Sequence, residues 1–263
     1  MQLAVAARTD TGMIRSGNED NFFADVIESR GLFIVADGMG GHAAGEVASE
    51  MAVDILSREL AQMRELNGDG VGEQIAGALK RANRAIYDRT TTESDKQGMG
   101  TTASVLIVAS GRYRIGQVGD SRIYLLRGGE LRQLTKDHSY VQEQVDAGVL
   151  TPEQARYHPY SNVITRCVGA SADVEPDTFD GPVQEGDVFL VASDGLTGMV
   201  DDRRLHRLLS SRASPQRLVE ALISEANGRG GLDNITAIVI QVLGLGSGPY
   251  NAVTQETPAP GRQ

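Results

Sequence analysis

The sequence predicts a single α+β domain in which most strands pair antiparallel. The chain has 263 residues, and 40% of them are hydrophobic, which is enough for one large core. Strand-like apolar runs between residues 101 and 134 are separated only by short turns at Ser110-Gly111, Gly119-Asp120 and Gly128-Gly129. Parallel neighbours need a crossover of roughly a dozen residues or more, so these strands must be largely antiparallel.

The individual elements follow from hydrophobic spacing along the chain. Residues 3–7, 22–27 and 32–36 are predicted strands, the last being a continuous apolar run. Apolar residues then recur at intervals of three and four from Val47 to Met63 and from Ile75 to Ile86, which is the spacing of helices that pack on a core. Further strands are predicted over 104–109, 113–118, 123–127, 131–134, 188–192 and 235–242, and further helices over 140–149, from 151 onward, and over 201–209 and 215–227.

The hydrophobic pattern ends near residue 243. Beyond Gly244 the content of Gly, Pro and Ser rises and no periodicity remains, so we expect a folded domain over 1–243 and a disordered tail over 244–263.

Charge and cysteine content limit the function classes. The net charge of −10 makes nucleic acid or an anionic membrane surface an unlikely main partner, because either needs clustered Lys and Arg. Cys167 is the single cysteine, which excludes an intrachain disulfide and agrees with a reducing compartment. There is no uninterrupted apolar run of about 18 residues. We therefore expect a cytoplasmic protein without a membrane span.

The stretch from 32 to 45 is the centre of the functional interpretation. Its apolar strand ends at Asp37, which is followed by three glycines and then by a helix. Glycine lets main-chain oxygen approach a cation, and Asp is a hard oxygen donor of the kind that Mg²⁺ or Mn²⁺ prefers. The alternative is a dinucleotide fingerprint, Gly38-x-Gly40-x-x-Ala43, with Asp54 or Glu59 on the ribose. Antiparallel strand spacing and the charge of Asp37 argue against it.

Acids recur at the edges of apolar strands. Asp37, Asp120, Asp194 and Asp233 all occupy such positions, and a further pair stands at Glu19-Asp20. A single acid at a strand end is commonly a turn former or a helix cap. If all these ends converge, however, one site holds six carboxylates, and their repulsion makes sense only if cations neutralise it.

An ordered set of segments resembles a known family, the metal-dependent protein serine/threonine phosphatases of type 2C (PPM family), in their bacterial single-domain form. The likeness covers about residues 5–242. The segments that carry it are Arg15-Ser16-Gly17-Asn18-Glu19-Asp20, Val35-Ala36-Asp37-Gly38-Met39-Gly40-Gly41-His42, Gly98-Met99-Gly100-Thr101-Thr102, Val118-Gly119-Asp120-Ser121-Arg122, Leu134-Thr135-Lys136-Asp137-His138-Ser139, Asn162-Val163-Ile164-Thr165-Arg166, Ser193-Asp194-Gly195 and Gly231-Leu232-Asp233-Asn234.

The resemblance implies a four-layer αββα sandwich, in which two antiparallel sheets face each other and helices pack outside. It also implies two or three Mn²⁺ or Mg²⁺ ions at one edge of the sandwich. Asp37 would bridge two ions, Asp194 and Asp233 would complete one of them, and Asp120 with Asp194 would hold the third. The full set of implied ligands is Glu19, Asp37, the Gly38 carbonyl, Asp120, Asp194 and Asp233.

By the same resemblance, a hydroxide held between two ions attacks phosphorus in line, and Arg15 clamps the phosphate with its planar fork. An ion pair between Arg15 and Glu19 is the ordinary alternative. Asp20 and Asn234 would orient water around the ions, whereas His42 would lie beside the ligands or start the helix. Met39 stands where eukaryotic members often carry a histidine that is proposed as the general acid.

The implied substrates are phosphoserine and phosphothreonine in proteins, and the enzyme would oppose a bacterial Ser/Thr kinase. Residues 139–169 correspond to the variable flap of the family, and His138 is expected to be structural. A second hypothesis is a catalytically silent phosphoprotein-binding module on the same fold. The presence of Asp37, Asp194 and Asp233 argues against that hypothesis.

Overall fold

The computed structural model describes residues 1–27, 30–40, 44–63, 66, 68, 70–246 and 253–256. The strands within these ranges are β1 (Gln2–Asp10), β2 (Asp20–Ile27), β3 (Arg30–Met39), β4 (Gly100–Thr101), β5 (Ala103–Ala109), β6 (Arg112–Val118), β7 (Arg122–Arg127), β8 (Glu130–Gln133), β9 (Asp177–Pro182), β10 (Val188–Ala192), β11 (Ile235–Gly244) and β12 (Val253–Glu256). The α-helices are α1 (Ala44–Ala61), α2 (Val71–Thr92), α3 (Tyr140–Asp146), α4 (Pro152–Arg156), α5 (Asp194–Thr197), α6 (Asp202–Leu209) and α7 (Pro215–Gly228).

The strands form two sheets. The first has the order β12-β1-β11-β10-β7-β8 and the second the order β2-β3-β5-β6-β9, with the short β4 paired to β3. The described pairings are antiparallel except for β12 with β1, which is parallel. This topology excludes the dinucleotide-binding alternative, because β3 runs between two antiparallel neighbours instead of leading into a parallel crossover unit.

Three hydrophobic clusters separate four layers. One lies between the two sheets, one between the second sheet and helices α1 and α2, and one between the first sheet and helices α5 to α7. Strand β3 shows why the sequence folds this way. Phe33 and Val35 face the other sheet, whereas Leu32 and Ile34 face α1 and α2, because successive side chains of a strand point to opposite faces. A strand buried on both faces therefore reads as a continuous apolar run.

Helices α1 and α2 confirm the spacing argument. The buried face of α2 includes Ile75, Leu79, Ala82 and Ile86, which are the residues that the periodicity selected. Asp54 and Glu59, the acids that a dinucleotide site would have used, lie on the surface of α1. Asp54 pairs with Arg58, and Glu59 pairs with Arg81 of α2. Ala43 of that alternative lies outside the described residues.

Two strands differ from the sequence prediction. Strand β9 was not predicted, because its side chains alternate between exposed and partly buried positions at the edge of a sheet and include Gly and Pro. Strand β12 lies inside the segment expected to be a disordered tail, and its pairing with β1 corrects that expectation for Val253–Glu256. Short pairing segments without apolar periodicity give little sequence signal. Among the described helices, none is long and apolar enough to cross a membrane.

Candidate metal centre

The acids meet where β2, β3, β10 and β11 come together at one edge of the sandwich. Asp20 begins β2 and lies directly opposite Asp37 of β3 in the antiparallel ladder. Asp194 follows the end of β10 and begins helix α5, and Asp233 stands two residues before β11. Strands β10 and β11 are neighbours, which brings these two acids to the same edge. The predicted convergence of distant acids is therefore present in the fold.

The carboxyl groups of Asp37 and Asp194 face each other within hydrogen-bonding reach. Two carboxylates so placed repel each other unless one of them is protonated or a cation lies between them. Burial raises the pKa of Asp37 well above its ordinary value, and the negative charges of Asp20, Asp194 and Asp120 raise it further. Burial also raises the pKa of Asp194, but the interaction with Asp37 lowers it again. Asp37 is therefore the member of the pair that binds a proton more readily.

Asp20 is buried, and only one of its oxygens is satisfied. Its Oδ2 accepts hydrogen bonds from Ser193 Oγ and Thr236 Oγ1, both at 2.7 Å, whereas its Oδ1 has no partner among the described residues. Burial, opposed by these hydroxyls, raises the pKa of Asp20 to about 7. A buried carboxylate oxygen without a donor is costly unless a cation or water offsets it.

Asp120, in the turn between β6 and β7, repeats this pattern. It is buried, its Oδ1 has no partner within the part of the chain that the structure describes, and burial raises its pKa well above the ordinary value. The neighbouring charge of Asp194 raises that pKa further, and the guanidinium of Arg122 opposes it. Arg122 is held in place by Asp137, with three N–O contacts of 2.7–3.0 Å.

Glycines let the backbone around Glu19 pack closely. A side chain on Gly38 would overlap the carbonyl oxygen of Gly45, and a Cβ on Gly45 would lie 2.8 Å from the carboxyl carbon of Glu19. The Gly38 amide donates to the Glu19 carbonyl at 3.1 Å, and Ser49 Oγ donates to the same oxygen at 2.6 Å. Because Gly38 and Gly45 have no side chain, the backbone at Gly38, Gly45 and Glu19 can pack together beside the acids. The use of the Gly38 carbonyl as a ligand stays a prediction.

Arg15 forms an ion pair with Asp233, with Nη2 at 2.7 Å from Oδ2. Both side chains are partly exposed, so the pair lies at the mouth of the site. The positive charge of Arg15 lowers the pKa of Glu19. Burial of Glu19 has a larger and opposite effect, so the pKa of Glu19 is raised overall. The ordinary alternative predicted from the sequence, a pair between Arg15 and Glu19, is not the contact that the structure shows.

Asn234 has a role that the sequence did not indicate. Its Nδ2 donates to the carbonyls of Thr11 and Gly17, both at 2.9 Å, and its Oδ1 accepts from the Glu19 amide at 2.8 Å. These bonds fix the loop that carries Arg15 and Glu19. The expected orientation of water by Asp20 and Asn234 stays a prediction, and His42 lies outside the described residues.

His138 confirms the structural role expected for it. Its Nδ1 accepts from the Gly119 amide at 3.0 Å, its own amide donates to the Gly119 carbonyl at 2.9 Å, and its Nε2 lies 3.2 Å from Asp177 Oδ2. The ring thus joins the turn before Asp120 to β9 at the base of the flap. The contact with Asp177 could not be predicted, since β9 itself was not.

The chemistry of the donor set fits a hard divalent cation. The predicted donors are carboxylate and carbonyl oxygens, and two of the buried oxygens have no partner within the described ranges. Across those same ranges, no three His, Cys, Asp or Glu side chains have the spacing of a complete ligand set. In this arrangement Arg15 engages Asp233, and the carboxyl groups of Asp37 and Asp194 face each other.

A two-sheet sandwich with acids gathered at one edge is the architecture that the resemblance to type 2C phosphatases implies. The sequence model of the family described as Protein phosphatase 2C matches residues 13–225, which is most of the chain. The chain belongs to the protein phosphatase 2C family.

Individual relatives agree with this assignment. The serine/threonine phosphatase stp of Listeria welshimeri is 42% identical over 238 residues, which are 89% of this chain and 94% of that protein. The crystal structure of the Mycobacterium tuberculosis serine/threonine phosphatase PstP/Ppp has a TM-score of 0.84 and 38% identity, with 92% of this chain and 99% of that chain covered. A structure of the PstP catalytic domain in complex with 2 manganese ions has a TM-score of 0.82, with 38% identity and the same coverage.

These comparisons confirm the predicted family, the α+β two-sheet fold and the enzyme class, a protein serine/threonine phosphatase. They favour the catalytic hypothesis over the silent binding module.

Proposed function

We propose that this protein hydrolyses phosphoserine and phosphothreonine in proteins and depends on divalent cations bound at the acidic edge. The observation that carries the proposal is the convergence of buried acids, in which Asp37 and Asp194 face each other and are surrounded by Asp20, Asp120 and Asp233. Burial and mutual repulsion raise the pKa of Asp20, Asp37, Asp120 and Asp194, which destabilises the fold. Proteins keep such clusters where a bound cation or a catalytic proton uses them.

The residues that would hold the cations are the predicted ones. Asp37 would serve two ions and Gly38 would give its carbonyl; Asp194 and Asp233 would complete one of these ions, and Glu19 would hold the other largely through water. Asp120 and Asp194 would bind a third. The PstP catalytic domain with its two manganese ions supports at least two. When bound, these ions supply a water of lowered pKa and positive charge against the phosphoryl oxygens.

The raised pKa values of Asp37 and Asp194 imply that cation binding releases protons. Both carboxylates must be ionised to act as ligands, whereas burial and the neighbouring acids favour their protonated forms. The acids with raised pKa values next to this pair, Asp20 and Asp120, add to the release. Proton release is a property of this chain's own residues and can be measured without substrate.

Arg15 is the residue that we propose binds the phosphate. Its guanidinium carries donors in a planar fork, and its Nη2 already faces an oxygen anion, Asp233 Oδ2, at the mouth of the site. If Asp233 becomes a cation ligand, Arg15 loses that partner and can donate to phosphoryl oxygens. The guanidinium therefore exchanges one oxyanion for another when substrate binds, and its charge stays paired.

The physiological partners stay predictions. We propose phosphorylated proteins as substrates, a Ser/Thr kinase as the opposing enzyme and the cytoplasm as the compartment. The flap, residues 139–169, lies beside the site: Arg156 of the flap donates to the carbonyl of Gly198, which directly follows α5. A segment in this position can select substrates, because loops on a rigid scaffold carry most recognition.

The test combines activity with calorimetry. A phosphothreonine peptide should be hydrolysed with manganese present and not in EDTA. Asp194→Asn should lower kcat by at least about 10²-fold, the scale of losing one electrostatic contribution to the transition state. The matched control is Asp54→Asn, since Asp54 is an exposed acid on α1 that pairs with Arg58 and takes no part in the site.

Calorimetric titrations with manganese are run near pH 7 in buffers of different ionisation enthalpy, so that the heat reports the number of protons released. The unaltered protein should release protons, and Asp37→Asn should release fewer. Full activity in EDTA would contradict the proposal. Unchanged proton release in Asp37→Asn would show that the acid assignment is wrong.

A further inference from the structure

Three exposed apolar side chains border the Arg15–Asp233 ion pair. Met13, Ile14 and Leu232 are 66%, 67% and 56% exposed, and we call them the rim patch. Single exposed apolar residues are normal on a protein surface, but several together beside a binding site usually mark an interaction surface. Ile14 directly precedes Arg15, and Leu232 directly precedes Asp233. The patch therefore starts within one residue of the proposed phosphate clamp.

The backbone under the rim patch is fixed. The Met13 amide donates to the Gly231 carbonyl at 2.8 Å, which ties the two loops together. Asn234 holds the first loop at both ends through its bonds to the Thr11 and Gly17 carbonyls. Exposed apolar side chains on a fixed backbone bind a partner at low cost, because little main-chain freedom is lost.

A cavity of about 490 Å³ continues from the rim patch. Met13 forms part of its wall, and the rest comes from β1 and α7, including Asp10, Ile223 and Asn227. Asn227 Nδ2 donates to Asp10 Oδ1, whereas its Oδ1 is buried without a partner among the described residues. The surface next to Arg15 thus runs from the acids, over apolar side chains, into a cavity between β1 and α7.

We propose that the rim patch binds an aliphatic side chain next to the phosphorylated residue of the substrate, so that Met13, Ile14 and Leu232 set sequence preference. This inference rests on the proposed function. Neighbouring residues of an extended peptide lie only about 3.3 to 3.8 Å apart, so a side chain flanking the phosphoresidue at Arg15 reaches groups close to Arg15.

The surrounding charges favour this occupant over the alternatives. Asp10 is paired with Arg8 at 3.5 Å, Glu19 and Asp233 are assigned to the cations, and Arg15 to the phosphate, so none of these charges is left to attract a charged flanking side chain. The three side chains of the rim patch offer no hydrogen-bonding group, whereas a neutral aliphatic side chain gains from apolar contact with them. A second copy of this chain seated on the patch would also cover Arg15 and close the site. The patch therefore fits a substrate segment better than a dimer contact.

The experiment compares phosphothreonine peptides that differ only in one residue beside the phosphothreonine, which is Leu, Ser or Lys, placed on either side. With manganese, the unaltered protein should hydrolyse the better-placed Leu peptide with a kcat/KM about tenfold above that of the Ser peptide, mainly through KM. Met13→Gln, Ile14→Gln and Leu232→Gln should each reduce this Leu-to-Ser ratio, and the double variant of Met13 and Ile14 should bring it near one.

The matched control is Leu243→Gln. Leu243 is 43% exposed and lies at the opposite end of β11 from the site, so the same chemical change there should keep the ratio at about ten. Turnover of p-nitrophenyl phosphate, which has no flanking residue, is measured for every variant and normalises any general loss of activity.

Three results would overturn the inference. The first is a Leu-to-Ser ratio that survives in the double variant. The second is a Lys peptide that is hydrolysed fastest, which would assign recognition to the acids. The third is a dimer, seen by light scattering, that the rim variants convert to monomer, which would make a second copy the occupant. Failure of the unaltered protein to hydrolyse p-nitrophenyl phosphate with manganese would instead contradict the proposed function, so the two ideas fail separately.

Discussion

Replacing Asp20 by Asn should stabilise the protein in EDTA at pH 8, and by about half as much at pH 5. The pKa of Asp20 is raised from 3.8 to about 7, mainly by burial. When the pKa of an acid is raised in the folded state, the acid does not affect stability at a pH below its ordinary pKa. As the pH rises from the ordinary pKa to the folded-state pKa, the acid destabilises the fold increasingly. The cost is therefore complete near pH 7 and small near pH 4.

The magnitude follows from the same shift. About three pKa units at ~1.36 kcal/mol each give a cost of about 4 kcal/mol at pH 8, and about 2 kcal/mol at pH 5. The pKa of about 7 already includes the hydrogen bonds from Ser193 and Thr236, and the neutral Asn side chain still accepts them. The variant should thus gain about 4 kcal/mol at pH 8 and about 2 kcal/mol at pH 5.

Urea denaturation in EDTA at pH 5, 6, 7 and 8 measures this difference. Asp54→Asn is the control, because an exposed acid paired on a helix surface should change stability by less than about 0.5 kcal/mol at every pH. With saturating manganese the order should reverse if Asp20 supports the bound ions, since a ligand stabilises the form that binds it better. If Asp20→Asn were more destabilised at pH 8 than at pH 5, the description of Asp20 as a buried, unsatisfied charge would be wrong.

Other substitutions test the packing around the site. Gly195→Ala should prevent stable folding or activity, because its Cβ would overlap the Asn234 carbonyl oxygen, whereas Gly228→Ala, with nothing within 4 Å, should leave thermal unfolding nearly unchanged. Asn234→Ala removes three bonds to the loop of Arg15 and should raise KM for a phosphopeptide and cost about 2 to 3 kcal/mol, read by kinetics and urea denaturation. Phe189→Ala, in the core between the sheets, should cost about 3 to 5 kcal/mol in urea, and a loss below 1 kcal/mol would contradict the core assignment.

Elements with strong periodicity or long apolar runs were predictable from the sequence. Helix α2 and strand β3 agree with their predictions because their side chains pack on a core with helical or strand spacing. Strand β9 was missed because an edge strand is held by main-chain bonds to β6, and its polar side chains leave no hydrophobic signal. The same reason applies to β12, whose pairing with β1 depends on backbone geometry.

Within the site, the sequence indicated which acids matter but not how they are paired. Ser193 and Thr236, which satisfy one oxygen of Asp20, were not selected, because a hydroxyl residue in a strand carries no distinctive signal. The sequence also did not determine which acid pairs with Arg15. Glu19 lies only four residues away, whereas the observed partner, Asp233, is distant in the chain. Contacts of this kind exist only once the strands are placed.

By itself, the order of residues determined the fold class, the family resemblance and the identity of the acids, because hydrophobic period and acid type are properties of short segments. The tertiary structure decided the rest: that Asp37 faces Asp194, that Arg15 faces Asp233, and that Met13, Ile14 and Leu232 border them. Those facts depend on strands that are adjacent in space and remote in sequence. The pKa of a buried acid is set by the charges around it, and these are known only when the fold is known.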